Sequence, residues 1–162
     1  MALRPGLLAG ALIGAAACGA GGPSVEIAWT GADTGAAELP ATATRCGTGP
    51  IALVAMSGDT GIAIALYAAA EPAAGLYPVS TGAAGAVPPA AGVGARWLDS
   101  TNVAAWRAGR GTVTLSDAGA RLAGSFTVQA KRLDTPDSVT LTGSFRGVPV
   151  GPCRADSAVP GV

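Results

Sequence analysis

Arg121-Leu-Ala-Gly-Ser-Phe-Thr-Val-Gln-Ala-Lys131 and Ser138-Val-Thr-Leu-Thr-Gly-Ser-Phe-Arg146 decide the fold. In the first, Leu122, Phe126, Val128 and Ala130 point one way while Arg121, Ser125, Thr127, Gln129 and Lys131 point the other. In the second, Val139, Leu141 and Phe145 oppose Thr140, Thr142, Ser144 and Arg146. Period two over such lengths predicts half-buried strands of an antiparallel meander. Both strands carry the pattern Leu-x-Gly-Ser-Phe, and Gly124 and Gly143 fall on the apolar face, where a strand glycine marks a bend or a close backbone approach. The turn formers from Leu133 to Asp137 join them into a long hairpin.

Working outward, Thr112 to Ser116 alternates in the same way. Ile51 to Met56 and Ile62 to Tyr67 are apolar runs joined by Ser57-Gly-Asp-Thr-Gly61, a hairpin signal, with Ile62, Ile64 and Leu66 on one face and small Ala63 and Ala65 on the other. Ser24 to Trp29 is a short first strand. Residues 68 to 94 hold little but Ala, Gly and Pro, and read as a long loop with one brief strand near Leu76-Tyr77, confined to an edge by Pro78. Ala95 to Leu98 and Val103 to Arg107 are weaker strands, and a helical turn would explain the second almost as well. The predicted class is all-β, an antiparallel sandwich or flattened barrel.

The chain has 162 residues, ten basic and ten acidic, with no histidine. That balance offers no basic tract for nucleic acid and no acidic tail for a cationic partner. Lys131 is the only lysine, and the wealth of Ala, Gly, Pro and Arg has the look of a GC-rich genome, so alanine is discounted here as a helix signal.

At the start of the chain, Arg4 precedes the apolar run Leu7 to Gly14, then Ala15-Ala-Ala17 and Cys18. This is the layout of a secretory signal peptide, and the run is too short for a membrane span, which needs roughly 20 residues. The segment resembles the signal and lipobox of bacterial lipoproteins. The resemblance implies cleavage before Cys18, a diacylglyceryl group on that residue, and a chain held in the cell envelope facing the periplasm or the exterior. Ala15-x-Ala17 also satisfies ordinary signal cleavage, which leaves plain secretion open. On the lipoprotein reading residues 1–17 are the signal, 18–23 the lipidated cysteine with a flexible Gly-rich tether, and 24–162 one β-domain. The later part is similar to domains of uncharacterised bacterial lipoproteins, through Gly75-Leu-Tyr-Pro-Val79, Gly124-Ser-Phe126, Gly143-Ser-Phe145 and Cys153. Those domains imply a β-fold and export, and bring no catalytic residues.

The cysteines number three. With Cys18 lipidated, Cys46 and Cys153 remain as a natural pair for an exported protein, although two unpaired buried thiols would also fit.

Several patterns imitate chemistry. Asp-Thr-Gly occurs at Asp33 and at Asp59, as in aspartic proteases, but both copies sit among turn residues and read as turns. Asp59, Asp99, Asp117, Asp134 and Asp137 fall in predicted turns without the spacing of a calcium loop. A serine nucleophile would lack a histidine base, and Lys131 reads as a solvated charge. Trp29, Trp97 and Trp106 could stack a sugar, but core packing is the favoured reading. Arg96, Arg107 and Arg110 read as a solvated face. The expectation is therefore a non-catalytic envelope module, lipid-anchored to a membrane, with no cofactor, serving structurally or binding a protein, polysaccharide or small ligand. A hydrolase of envelope or extracellular polymers using Glu71 with an Asp is the alternative.

Overall fold

The computed structural model describes residues 21–100 and 102–153. Its strands are β1 (Ser24–Gly31), β2 (Gly35–Arg45), β3 (Ile51–Ser57), β4 (Thr60–Tyr67), β5 (Gly75–Pro78), β6 (Ala90–Asp99), β7 (Asn102–Ala118), β8 (Arg121–Arg132) and β9 (Ser138–Pro152), with one 3₁₀ turn at Ala83–Gly85. All but β5 form a ring in the order β1-β2-β3-β4-β6-β7-β8-β9, every neighbour antiparallel, and β9 returns to β1. The fold is a closed eight-stranded barrel, so of the two expected architectures the barrel is the one formed. Closure leaves no unpaired edge in the ring.

The alternating pattern becomes the wall. Inward side chains such as Val25, Leu53, Ile64, Val113, Leu122, Phe126, Leu141 and Phe145 are buried in one continuous core. The repeated Gly-Ser-Phe finds its reason in register: Gly124 stands opposite Phe145, and Phe126 opposite Gly143. A Cβ on Gly124 would strike the Phe145 ring and the Thr114 carbonyl, and one on Gly143 would strike the Phe126 ring and the Glu26 carbonyl. Each phenyl ring thus lies over the other strand's glycine.

Four expectations are corrected. Gly35–Arg45, to which the sequence reading assigned no element, is the strand β2. Pro40 is tolerated because it lies opposite Ser24, where β1 begins, and just before the β3 ladder starts at Ala41. The long loop is shorter than expected: Ala90 to Gly94 belong to β6, in the ring between β4 and β7. Val103 to Arg107 take the strand reading and not the helical turn, but they and Thr112 to Ser116, read as separate strands, belong to one strand, β7. Finally, β9 continues past Arg146 to Pro152, where it pairs in parallel with the end of β2 beyond the start of β1. The short β5 pairs only with β7, which places Pro78 at an edge as expected.

Register defines two ends. The β1–β2, β3–β4, β6–β7 and β8–β9 turns share one end. Ser24, Cys46, the β7–β8 turn and Cys153 share the other.

Candidate functional site

The hairpin end is closed by aromatic rings. Trp29 on β1, Trp97 on β6 and Trp106 on β7 all point inward and are buried. Their rings stack in sequence, with centroids 4.5 Å apart for Trp29–Trp97 and 4.9 Å for Trp97–Trp106, at interplanar angles of 20° and 15°. Asp33, in the β1–β2 turn, reaches over this stack: Trp97 Nε1 donates to its Oδ2 at 2.7 Å and Trp29 Nε1 at 3.2 Å, while the Thr34 amide donates to Oδ1 at 2.7 Å. Burial pushes the Asp33 carboxyl up, but the Thr34, Trp97 and Trp29 donors outweigh it and hold the group below its ordinary value. Arg132 lies 5.9 Å over the Trp106 ring and bonds Asp99 and Asp134, each at 2.7 Å. That pairing holds the Asp134 carboxyl below its ordinary value too. The tryptophans are therefore core, as favoured from sequence. Both faces of Trp97 are covered by other indoles, which leaves neither for a sugar.

Glu71 and the Asp residues do not assemble into a catalytic pair, while Glu26 and Glu38, opposite each other on β1 and β2, are bridged by Arg146 Nη2 at 2.9 and 3.6 Å. Asp33 serves the indoles. Glu71 is an ion-pair partner of Arg45, and Asp99 and Asp134 are held by Arg132. Asp117 caps its own turn through the Gly119 amide, and Asp137 accepts from Thr135. Asp59 stays in the β3–β4 turn. Among the described residues no group of three or more Asp, Glu or Cys side chains is placed to hold a metal. Cys18 lies outside the described residues. Cys46 and Cys153 follow the parallel β2/β9 pair, their Cα atoms 4.9 Å apart, at disulfide distance.

A second feature lies on the outer wall. A cavity of about 600 Å³ runs over β3, β4, β6 and β7, with Ala63, Ala65, Gly92, Gly94 and Ala105 as its floor. Val54 and Met56 border it on β3, and the Ser80–Ala84 segment is among its other walls. It shares Thr81, Arg107 and Leu133 with a neighbouring cavity of about 590 Å³ that also holds Arg110, Gln129 and Lys131. Sequence reasoning noticed small Ala63 and Ala65 but not this groove, because Gly92 and Gly94 were hidden in an Ala/Gly-rich stretch read as loop. It missed the Asp33 acceptor as well, since indole partners 4 and 64 positions away leave no local signal.

No family model, no curated protein and no solved structure matches this chain.

Proposed function

We propose that the chain is a non-catalytic, lipid-anchored module of the bacterial cell envelope, attached through Cys18 and acting as a binding or structural domain. One observation favours it over the hydrolase alternative: Glu71 is held by Arg45, the Asp carboxylates lie in separate turns, and the two carboxylates that do meet, Glu26 and Glu38, are tied together by Arg146. Polymer hydrolysis by paired carboxylates needs two such groups about 5–9 Å apart across a cleft. The attachment itself is supported by the signal-like residues 1–18 and by the barrel's geometry. The chain enters β1 at Ser24, at the end opposite the indole stack. A short tether from Cys18 would set that end toward the membrane and the tryptophan end away from it.

The test is the intact mass and N-terminal peptide of protein recovered from bacterial membranes. The expected result is a start at Cys18 carrying acyl mass, and loss of both acyl mass and membrane retention in Cys18→Ser. A soluble product with an unmodified Cys18 would overturn the anchor.

A further inference from the structure

We propose that the outer-wall groove binds a single-chain anionic lipid, its acyl chain on the Ala/Gly floor and its acidic head on Arg107, Lys131 and Arg110. The inference deepens the binding-module reading above and rests on it.

Register draws the site as one row across five strands: Val54 pairs with Ala63, Ala63 with Gly94, Gly94 with Arg107, and Arg107 with Lys131. The row passes from apolar through side-chain-free to cationic. Arg107 and Lys131 are directly opposite, an arrangement that destabilises a sheet unless an anion neutralises it. No residue lining either cavity is acidic, and among the described residues neither Arg107 nor Lys131 is in an ion pair. Arg110 joins them by a specific device. Strict alternation from inward Ala108 would turn Arg110 into the core. The register shift between Ala108 and Arg110 leaves Gly109 as an extra residue, so that Arg107 and Arg110 both face outward. Bulges of this kind re-aim side chains. Arg110 is then held by Gln129, whose Oε1 accepts from its Nε at 2.6 Å.

The floor is small without structural need. A Cβ at Gly92 or Gly94 would meet its nearest neighbours at 3.5 and 3.6 Å, ordinary contact, and neither residue has a positive φ. Glycine inside a strand weakens it, so two glycines in a ring strand where alanine would fit are an unforced loss. What they leave is space of the size ligand sites commonly have. The occupant follows from polarity. Along the row from Val54 to Arg107 the backbone is paired in ladders on both sides, so a peptide laid there would bring amides with nothing to pair. A methylene chain brings none, and its carboxylate or phosphate completes the cationic end.

The experiment is photolabelling of the full chain, purified as expressed and held with phosphatidylcholine vesicles, using a diazirine-bearing palmitate. Labelled positions are read by peptide sequencing, and a diazirine-bearing long-chain alcohol serves as the neutral probe. We expect label on residues 54–65 and 92–107, a fall of about tenfold in R107E/K131E, and a comparable fall in G94V, whose side chain fills the floor. Thermal melts check that both variants fold; Gly94→Val adds a β-former whose Cβ meets its nearest neighbour, the Trp106 carbonyl, at 3.6 Å, and the charge variant alters only exposed side chains. Label spread equally over the Glu26 and Glu38 wall, yields unchanged in both variants, or equal labelling by the alcohol would each overturn the proposal. So would an acidic amphipathic peptide that displaces the label at lower concentration than unlabelled palmitate, which would give the groove to a protein. The N-terminal peptide of the same digest reports lipidation separately, so failure of the anchor and failure of the groove are distinguishable.

Discussion

Asp33 shows how much a single turn residue can do here, since one carboxylate oxygen accepts from two buried indoles. Replacing it by Ala leaves both N–H groups without an acceptor, and hydrogen bonds to a charged group contribute about 1.5–3 kcal/mol each. Asp33→Ala should therefore lower stability by about 2–4 kcal/mol in urea unfolding, and Asp33→Asn, which keeps a carbonyl acceptor, by less. The indoles should differ among themselves. Among the described residues Trp106 Nε1 has no partner, so Trp106→Phe should cost about 1–2 kcal/mol less than Trp97→Phe, which forfeits the 2.7 Å bond. The pH dependence has a definite sign. The Asp33 and Asp134 carboxyls are held below their ordinary values, so the folded state binds their protons less readily than the unfolded chain. Their contribution is complete above the ordinary carboxylate value of about 4 and is lost as pH falls through the depressed values. Denaturation midpoints measured down to pH 2 should drop steeply below about pH 4, with a shallower drop in Asp33→Ala.

Among the elements, β8 and β9 carry the strongest local pattern and the tightest packing. Gly143→Ala would drive a methyl into the Phe126 ring and the Glu26 carbonyl. Overpacking of this kind costs about 1–3 kcal/mol, and the double variant Gly143→Ala with Phe126→Leu should recover part of it by giving the methyl room. The β2/β9 parallel pair is the other decisive junction. Cys46 and Cys153 are 107 positions apart in sequence yet follow directly on paired residues, with the Cys153 amide donating to the Arg45 carbonyl at 3.1 Å. A bridge there would hold the two strands together where β1 no longer lies between them. Non-reducing peptide mass mapping should find the Cys46–Cys153 linkage, and Cys46→Ser/Cys153→Ser should lower stability by about 2–5 kcal/mol. An unchanged denaturation midpoint after reduction would mean that the ladder alone secures this junction.

At the scale of the whole molecule, the interior is apolar throughout, and on the β8–β9 wall the outside is polar. Ser125, Thr127 and Gln129 on β8 and Thr142, Ser144 and Arg146 on β9 are exposed, while Phe126, Val128, Leu141 and Phe145 fill the interior. A membrane-spanning barrel has the reverse arrangement, with an apolar band outside. Thr127→Lys and Thr142→Lys should consequently leave the unfolding midpoint within about 0.5 kcal/mol of the native value, where a lipid-facing site would lose about 2–4 kcal/mol. This sorting is the part of the protein that the residues themselves determined. Alternation in 121–131 and 138–146, the hairpin at 51–67 and the edge position of Pro78 were legible because each depends on neighbours a few positions away. The pairing of Cys46 with Cys153 was legible from the count of cysteines and not from local pattern, since 107 positions separate them. Tertiary structure alone decided the rest. Gly35–Arg45 and Ala90–Gly94 are strands because neighbouring strands satisfy their backbones, β1 and then β3 for the first and β4 for the second, not because Ala, Gly and Pro favour extension. Closure into a barrel, the Asp33 acceptor, and the row from Val54 to Lys131 all join residues distant in sequence. Only the register of the closed ring brings them together.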